Sequence, residues 1–320
     1  MKLVILDSYT AVSTDLSLDC LRELVDEMEV YGRTAPADTA ARIGDAELVL
    51  TNKTVLSREV LEKCPNVRYI GLFATGYNVI DIDYCRTNGI VVANAPAYST
   101  NAVAQLVFAF ILHFASMVDQ HDREVHTGKW ENCEDFAFYD PRICELADKT
   151  IGIIGCGSIG QKVAKLAQAF DLKVLVYSRT VRPELESETL RFVGLDTLLE
   201  QSDIVTLHCP LFPETAKLMN RERLSRMKRS ALLINTARGG VVDEQAVADA
   251  LREGVIRGYA ADVASVEPIS PDNPLLKAPN CLLTPHIAWA AREARARLID
   301  IVRDNLKAFL EGNPVNNVAK

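Results

Sequence analysis

Only five of the 320 residues are histidine, so each can be weighed for the proton chemistry its ring supports near neutrality. His113 lies in an apolar helical pattern and reads as a core or interface residue. His121 and His126 are five apart, wrong for one helical face, and predict no metal site. His208 follows the apolar run Ile204–Leu207 and reads as a cleft-lining residue that takes no chemical step. His286 follows Cys281–Thr284 and Pro285, at the carboxyl edge where parallel α/β sheets bind ligands. Two other runs reach that edge. Ala231–Asn235 leads into Thr236-Ala237-Arg238, and Gly258–Ala261 leads into Asp262, with Glu267 close behind. A histidine, an arginine and a glutamate meeting there suit reduction of a 2-oxo acid. The guanidinium fork binds carboxylate and carbonyl oxygen, and the imidazole protonates that oxygen as hydride arrives. A carboxylate beside the ring favours its protonated form. From spacing alone, each of the three could equally belong to a structural ion pair.

Hydride needs a carrier, and the chain has a pattern for one. Gly155, Gly157 and Gly160 stand in G-x-G-x-x-G spacing between the apolar run Thr150–Ile154 and an amphipathic stretch, Gln161–Phe170. The first glycine permits a tight turn, the second lets backbone approach a pyrophosphate, and the third lets the helix pack closely. The helix start offers unspent N–H groups to the anion. No carboxylate closes the next run, Lys173–Tyr177, where a ribose-binding acid would stand; Ser178-Arg179-Thr180 follows instead. Serine and arginine can hold a 2′-phosphate, which favours NADP(H) over NAD(H). An Arg179 that only stacks on adenine would serve either cofactor.

The elements that must carry these residues alternate strand and helix, which predicts parallel βα units. Strands are expected at Leu3–Leu6, Glu29–Tyr31, Leu48–Leu50, Tyr69–Leu72 and Ile90–Ala93, with helices at Ser17–Glu27 and Ser57–Lys63. A long apolar helix is expected from Asn101 to Met117, and 119–148 reads as an irregular surface loop. Six further strands are expected: Thr150–Ile154, Lys173–Tyr177, Ile204–Leu207, Ala231–Asn235, Gly258–Ala261 and Cys281–Thr284. A last helix spans Trp289 to Leu310. A net charge of −8, without a Lys/Arg-rich run, argues against nucleic acid. The eight cysteines are never closer than eleven residues, so no C-x-x-C pair exists and a reducing compartment is expected. Aspartate at position 7 interrupts any leader-like apolar stretch, and the longest apolar run is too short to span a bilayer. The expectation is a soluble cytoplasmic protein.

With these motifs assembled, the chain resembles the D-isomer-specific 2-hydroxyacid dehydrogenases over nearly its whole length. The resemblance rests on Ala74-Thr75-Gly76-Tyr77-Asn78, Asn94-Ala95-Pro96, the glycine turn, and His208-Cys209-Pro210-Leu211 with Glu214-Thr215. It continues through Asn235-Thr236-Ala237-Arg238-Gly239, Asp262-Val263, Glu267-Pro268 and Thr284-Pro285-His286-Ile287-Ala288. It implies an α/β protein of two domains, a Rossmann-type dinucleotide-binding domain (101–286) inserted into a flavodoxin-like substrate domain (1–100 and 287–320). It implies His286 as acid/base, Glu267 as its support and Arg238 as substrate ligand. Backbone N–H groups of Ala74, Thr75 and Gly76 would hold the substrate carboxylate; from its position just after His286, Trp289 reads as a wall of that pocket or equally as a helix-packing aromatic. Ser158 and Ile159 would lie on the pyrophosphate, and Pro210, Thr215, Thr236 and Ala237 would line the cofactor. Asp262 would touch the nicotinamide side. A homodimer formed through the 101 helix and the 119–148 segment is also implied.

Within the family the chain is most similar to the glycerate dehydrogenase and hydroxypyruvate reductase branch, which implies hydroxypyruvate or glyoxylate as substrate. Gln105 stands where many relatives have glutamate. Glu267 argues against the formate dehydrogenase branch, which pairs its histidine with glutamine. D-lactate, a branched acid and 3-phosphoglycerate remain alternatives, and the phosphate of the last would call on Lys53. A cofactor-sensing, corepressor-like binding protein is the non-enzymatic alternative.

Overall fold

Continuous apolar runs become strands here because a parallel sheet covered on both faces needs no polar alternation. The computed structural model describes residues 1–12 and 15–320. Among the described residues the chain divides into two compact units, Met1–Ser99 with Trp289–Lys320, and Thr100–Ala288.

The first unit carries strands β1 (Lys2–Ile5), β2 (Glu27–Val30), β3 (Leu48–Thr51), β4 (Tyr69–Leu72) and β5 (Val91–Ala93). Between them lie short helices α1 (Asp19–Arg22), α2 (Thr39–Ile43), α3 (Arg58–Leu61) and α4 (Ile82–Thr87). The sheet is parallel with order β2-β1-β3-β4-β5, the flavodoxin-like arrangement. Every residue of β3 and β4 is buried, whereas β2 is a half-exposed edge with two glutamates, which discourages further strand pairing. The expected helix over Ser17–Glu27 is overturned. Only Asp19–Arg22 is helical, and Glu27 already pairs with Lys2, because the second strand starts earlier than its apolar content indicates.

The second unit opens with α5 (Thr100–Ser116) and α6 (Val118–His126). Residues 119–126 are therefore helical and not part of a loop. Strands β6 (Thr150–Ile154), β7 (Lys173–Tyr177), β8 (Leu190–Phe192), β9 (Ile204–Leu207), β10 (Leu232–Asn235), β11 (Gly258–Ala261) and β12 (Cys281–Leu283) follow. With them come α7 (Ser158–Ala169), α8 (Leu195–Gln201), α9 (Arg221–Arg226) and α10 (Glu244–Arg252). The described strands form one seven-stranded sheet, order β12-β11-β10-β9-β6-β7-β8, so the expected six-stranded sheet gains the short edge strand β8. The strand order reverses between β6 and β9, the switch point at which Rossmann sheets open a crevice. One core, around Leu233, Tyr259 and Leu207, is packed by α8 to α10; the other, around Ile153, Val176 and Ile234, is packed by α5 and α7. Side chains cap several helices: Asp81 accepts from Tyr84 N, Asn220 from Arg223 N and Asp243 from Ala246 N.

The last helix, α11 (Arg292–Leu310), returns to the first unit, where Phe309 packs on Tyr69 of β4 with ring centroids 4.8 Å apart. It starts three residues later than expected from Trp289. No single helix among the described residues is long and apolar enough to cross a membrane.

Candidate active site

The glycine turn follows β6 and is shaped by close backbone approaches. Gly155 has φ +103°, and a Cβ there would lie 2.7 Å from the carbonyl carbon of His208. A Cβ on Gly160 would lie 2.1 Å from the Gly155 carbonyl oxygen, so α7 rests directly on the turn. Gly157 differs: a Cβ there would meet nothing within 4 Å, and the residue opens onto a cleft. No side chain caps the start of α7 directly after Gly157, so its first-turn N–H groups have no side-chain partner among the described residues.

The cleft has a volume of about 850 Å³. It brings together Gly155, Gly157, Ser178, Arg179, His208, Pro210 and Thr215 from the sequence-predicted set. Ser158, Ile159 and Gly160 stand behind it as the first residues of α7, and Thr236, Ala237 and Asp262 are not among its walls. Cys156, Tyr177 and Phe212 line it without having been given a role, each beside a motif residue, and Thr180, Cys209 and Glu214 line it from within motifs whose roles fell to their neighbours. Thr215 does not present its hydroxyl to the opening. That group accepts from Phe212 N at 2.7 Å and donates to Pro210 O at 2.7 Å, folding the 210–215 turn. Burial pushes the His208 imidazole down to about 3, so the ring is neutral, with Thr206 Oγ1 3.0 Å from its Nε2.

At the ends of the next three strands stand Arg238, Glu267 and His286. Buried Asn235 braces the first turn: its Oδ1 accepts from Ala237 N at 3.0 Å and its Nδ2 donates to Arg238 O at 2.9 Å. Arg238 is exposed, and its Nη1 donates to Ala237 O at 2.7 Å. It has no carboxylate partner among the described residues, so its charge is available to a ligand. His286 and Glu267 do meet. Nδ1 lies 2.7 Å from Glu267 Oε2, and Glu267 Oε1 accepts from Ala264 N at 3.1 Å. Both side chains keep about a third of their surface exposed, 33% and 37%, and His286 Nε2 has no partner among the described residues.

Asp262 serves this pair from below. Only 1% exposed, it accepts from Thr284 Oγ1 at 2.6 Å, Ile287 N at 2.8 Å and Ala288 N at 2.7 Å. These bonds hold the turn in which His286 takes φ +55°, an unusual conformation for a residue with a side chain. Sequence reasoning gave Asp262 a cofactor contact; in the fold its carboxylate also holds the 284–288 turn.

In the first unit, Ala74, Thr75 and Gly76 form the turn after β4. Ala95 N donates to Ala74 O at 2.9 Å, Thr75 Oγ1 to Ala95 O at 2.7 Å, and Asn94 Nδ2 to Thr75 O at 2.8 Å. The N–H groups of the three residues donate to no acceptor among the described residues, as an anion-binding turn requires. Neighbouring β3 ends in a second ordered turn. Buried Asp7 accepts from the N–H groups of Asn52, Lys53 and Thr54 at 2.8, 2.6 and 2.8 Å, leaving the Lys53 side chain exposed. Trp289 is half-buried at the start of the returning segment.

The residues present fit a dinucleotide. Gly157 leaves an open face on the cleft, and the helix that follows it has no side-chain cap. Among the described residues no group of three His, Cys, Asp or Glu side chains could hold a metal ion.

Comparison with known proteins agrees with this geometry. The D-isomer specific 2-hydroxyacid dehydrogenase, NAD binding domain family matches residues 108–288. The chain is 48% identical over 323 residues to a hydroxypyruvate reductase of Blautia hydrogenotrophica, covering 100% of both chains. It is 38% identical over 295 residues to a glycerate dehydrogenase of Methylorubrum extorquens, covering 91% of this chain and 92% of that one. Among solved structures, an acyclic imino acid reductase in complex with NADPH and D-Arg superposes with TM-score 0.86 at 32% identity, covering 99% and 100% of the two chains. A strand-switch cleft with a glycine turn, a paired histidine and glutamate, and a whole-length likeness converge on one assignment: the chain belongs to the D-isomer-specific 2-hydroxyacid dehydrogenases, oxidoreductases that act on CH–OH groups with a nicotinamide dinucleotide.

Proposed function

We propose that the protein reduces hydroxypyruvate, and glyoxylate as a second substrate, to D-glycerate and glycolate, and that it prefers NADPH to NADH. The observation that carries the reading is the 2.7 Å contact between His286 Nδ1 and Glu267, which leaves Nε2 free to exchange a proton. Bound nicotinamide supplies the hydride. The Arg238 guanidinium pairs with the substrate carboxylate and polarises the carbonyl oxygen. His286 Nε2 gives that oxygen its proton, and Glu267 offsets the charge of the imidazolium that precedes the transfer. The amides of Ala74, Thr75 and Gly76 hold the carboxylate from the first unit, and Trp289 limits the bulk of the substrate. Gly157, Ser158 and Ile159 would hold the pyrophosphate of the dinucleotide, and Ser178 and Arg179 would bind an adenosine 2′-phosphate. The two units thereby act as dinucleotide-binding and substrate domains.

A homodimer completes the reading. The segment after α5 exposes large apolar side chains, among them Val118 at 69%, Phe136 at 94% and Tyr139 at 76%, more than a lone surface residue explains.

Absorbance at 340 nm, followed with each acid and each cofactor, tests the proposal directly. Hydroxypyruvate turnover with NADPH favoured is the expected result, and no turnover of any small 2-oxo acid with either cofactor would sink it. His286→Gln is expected to lower kcat by about 10²–10⁴ while cofactor affinity, read by fluorescence titration, stays within about threefold.

A further inference from the structure

Behind the Glu267–His286 pair lies a second carboxylate that touches neither. Glu244, first residue of α10, points at the loop joining β11 to Glu267. Its Oε1 accepts from Ser265 N at 2.7 Å, and its Oε2 accepts from Ser265 Oγ at 2.6 Å and Asn273 Nδ2 at 2.9 Å. The same Ala264–Ser265 stretch does two further things. Ala264 N donates to Glu267 Oε1 at 3.1 Å. On its other side it lies against Gly239, where a Cβ would come within 1.9 Å of the Ala264 carbonyl carbon and 2.2 Å of Ser265 N. One strip of backbone thus sets the aim of Glu267 and abuts the backbone next to Arg238.

We propose that Glu244 is a positioning residue for the acid/base pair: it fixes the Ala264–Ser265 strip, and through it the orientation of Glu267 against His286. This rests on the reading of His286 as acid/base. The chemistry is specific to a carboxylate. Three donors converge on two oxygens, and each oxygen must only accept. Asn273 cannot simply turn over to suit a new partner, because its Oδ1 already accepts from Leu275 N at 3.0 Å. Glutamine keeps one pure acceptor for Ser265 N and can donate to the rotatable Ser265 hydroxyl, but it loses the Asn273 bond. Alanine removes the acceptor from all three, and the exposed Ser265 donors turn to water, which no longer ties the strip to α10.

The test is a mutant cycle on the full-length enzyme combined with histidine NMR of the cofactor-free protein. Glu244→Ala is expected to lower kcat about tenfold, with hydroxypyruvate KM and cofactor affinity changed less than about threefold, because Glu244 touches neither ligand. Glu244→Gln is expected to restore kcat to within about threefold of the parent. In a Glu267→Ala background, adding Glu244→Ala is expected to cost less than about twofold more, since the group it positions is gone. The ¹⁵N signals of the His286 ring in Glu244→Ala should move towards those of Glu267→Ala. Unchanged kcat in Glu244→Ala overturns the proposal, and so does an equal loss in both backgrounds. If Glu267→Ala itself keeps full turnover, the acid/base reading falls, and the NMR shift still decides whether Glu244 holds the pair. If Glu244→Ala does not fold, Ser265→Ala removes only the hydroxyl bond. A small shift of the His286 ring signals in that variant supports the proposal, and no shift overturns it.

Discussion

Asp262 and His208 make different uses of burial. Asp262 is almost fully enclosed, yet three donors surround its carboxylate, and their geometry fixes the turn that presents His286. Asp262→Asn would place an N–H against one of those donors. It should cost about 1.5–3 kcal/mol of stability, read by urea denaturation, and reduce kcat with it. His208 has no such compensation for charge. Its folded value of about 3 lies below the ordinary 6.5, so below pH 6.5 the unfolded chain takes up a proton that the folded one refuses. This site's contribution to stability is complete above pH 6.5 and declines as pH falls towards 3. His208→Asn should therefore flatten the loss of urea midpoint between pH 7 and pH 5, and unchanged pH sensitivity would refute the assignment. Residue types in sequence were enough to nominate Arg238, Glu267 and His286. They gave no sign that Asp262 faces inward or that Glu244 reaches Ser265, because both depend on which way a short turn rolls.

At the scale of elements, the glycine turn separates two demands that the spacing alone merges. Gly155 serves the fold: its positive φ and the backbone of His208 leave no room for a methyl group. Gly155→Ala should lower stability by about 1–3 kcal/mol and abolish cofactor binding together. Gly157 serves the ligand: its Cβ position is open and its φ of −76° suits any residue. Gly157→Ala should hold stability within about 0.5 kcal/mol while weakening cofactor binding, as thermal melts and fluorescence titration would separate. The buried strands were legible to within a residue or two, because runs such as 204–207 and 258–261 carry no charged residue, are largely apolar and are buried on both faces. Helix α6 was not. Asp119 to Glu124 are polar without a break, and no buried side chain marks a face. Strand β8 escaped for a different reason: it has three residues and exists through pairing with β7.

For the whole molecule, a charge of −8 contrasts with two anionic ligands, so positive groups must act locally. Arg179 on the cleft wall is the group proposed to choose between cofactors. Arg179→Ala should weaken NADPH about 10–100-fold, the worth of a charged hydrogen bond, and change NADH far less. An equal loss for both would assign Arg179 to adenine stacking instead. The exposed apolar side chains between Val118 and Tyr139 make a prediction of their own: light scattering should return twice the mass of one chain.

The sequence by itself determined the strand cores, the glycine turn, the residues with chemistry to offer and the family to which they belong, since each is written in local residue types and spacing. Tertiary structure decided which candidates meet. The 2.7 Å contact of His286 with Glu267, the commitment of Asp262 to the 284–288 turn and the hold of Glu244 on Ser265 join residues 19 to 26 positions apart. Such contacts follow from how parallel strands align their carboxyl ends and how the loops between them cross, and only the folded chain fixes both.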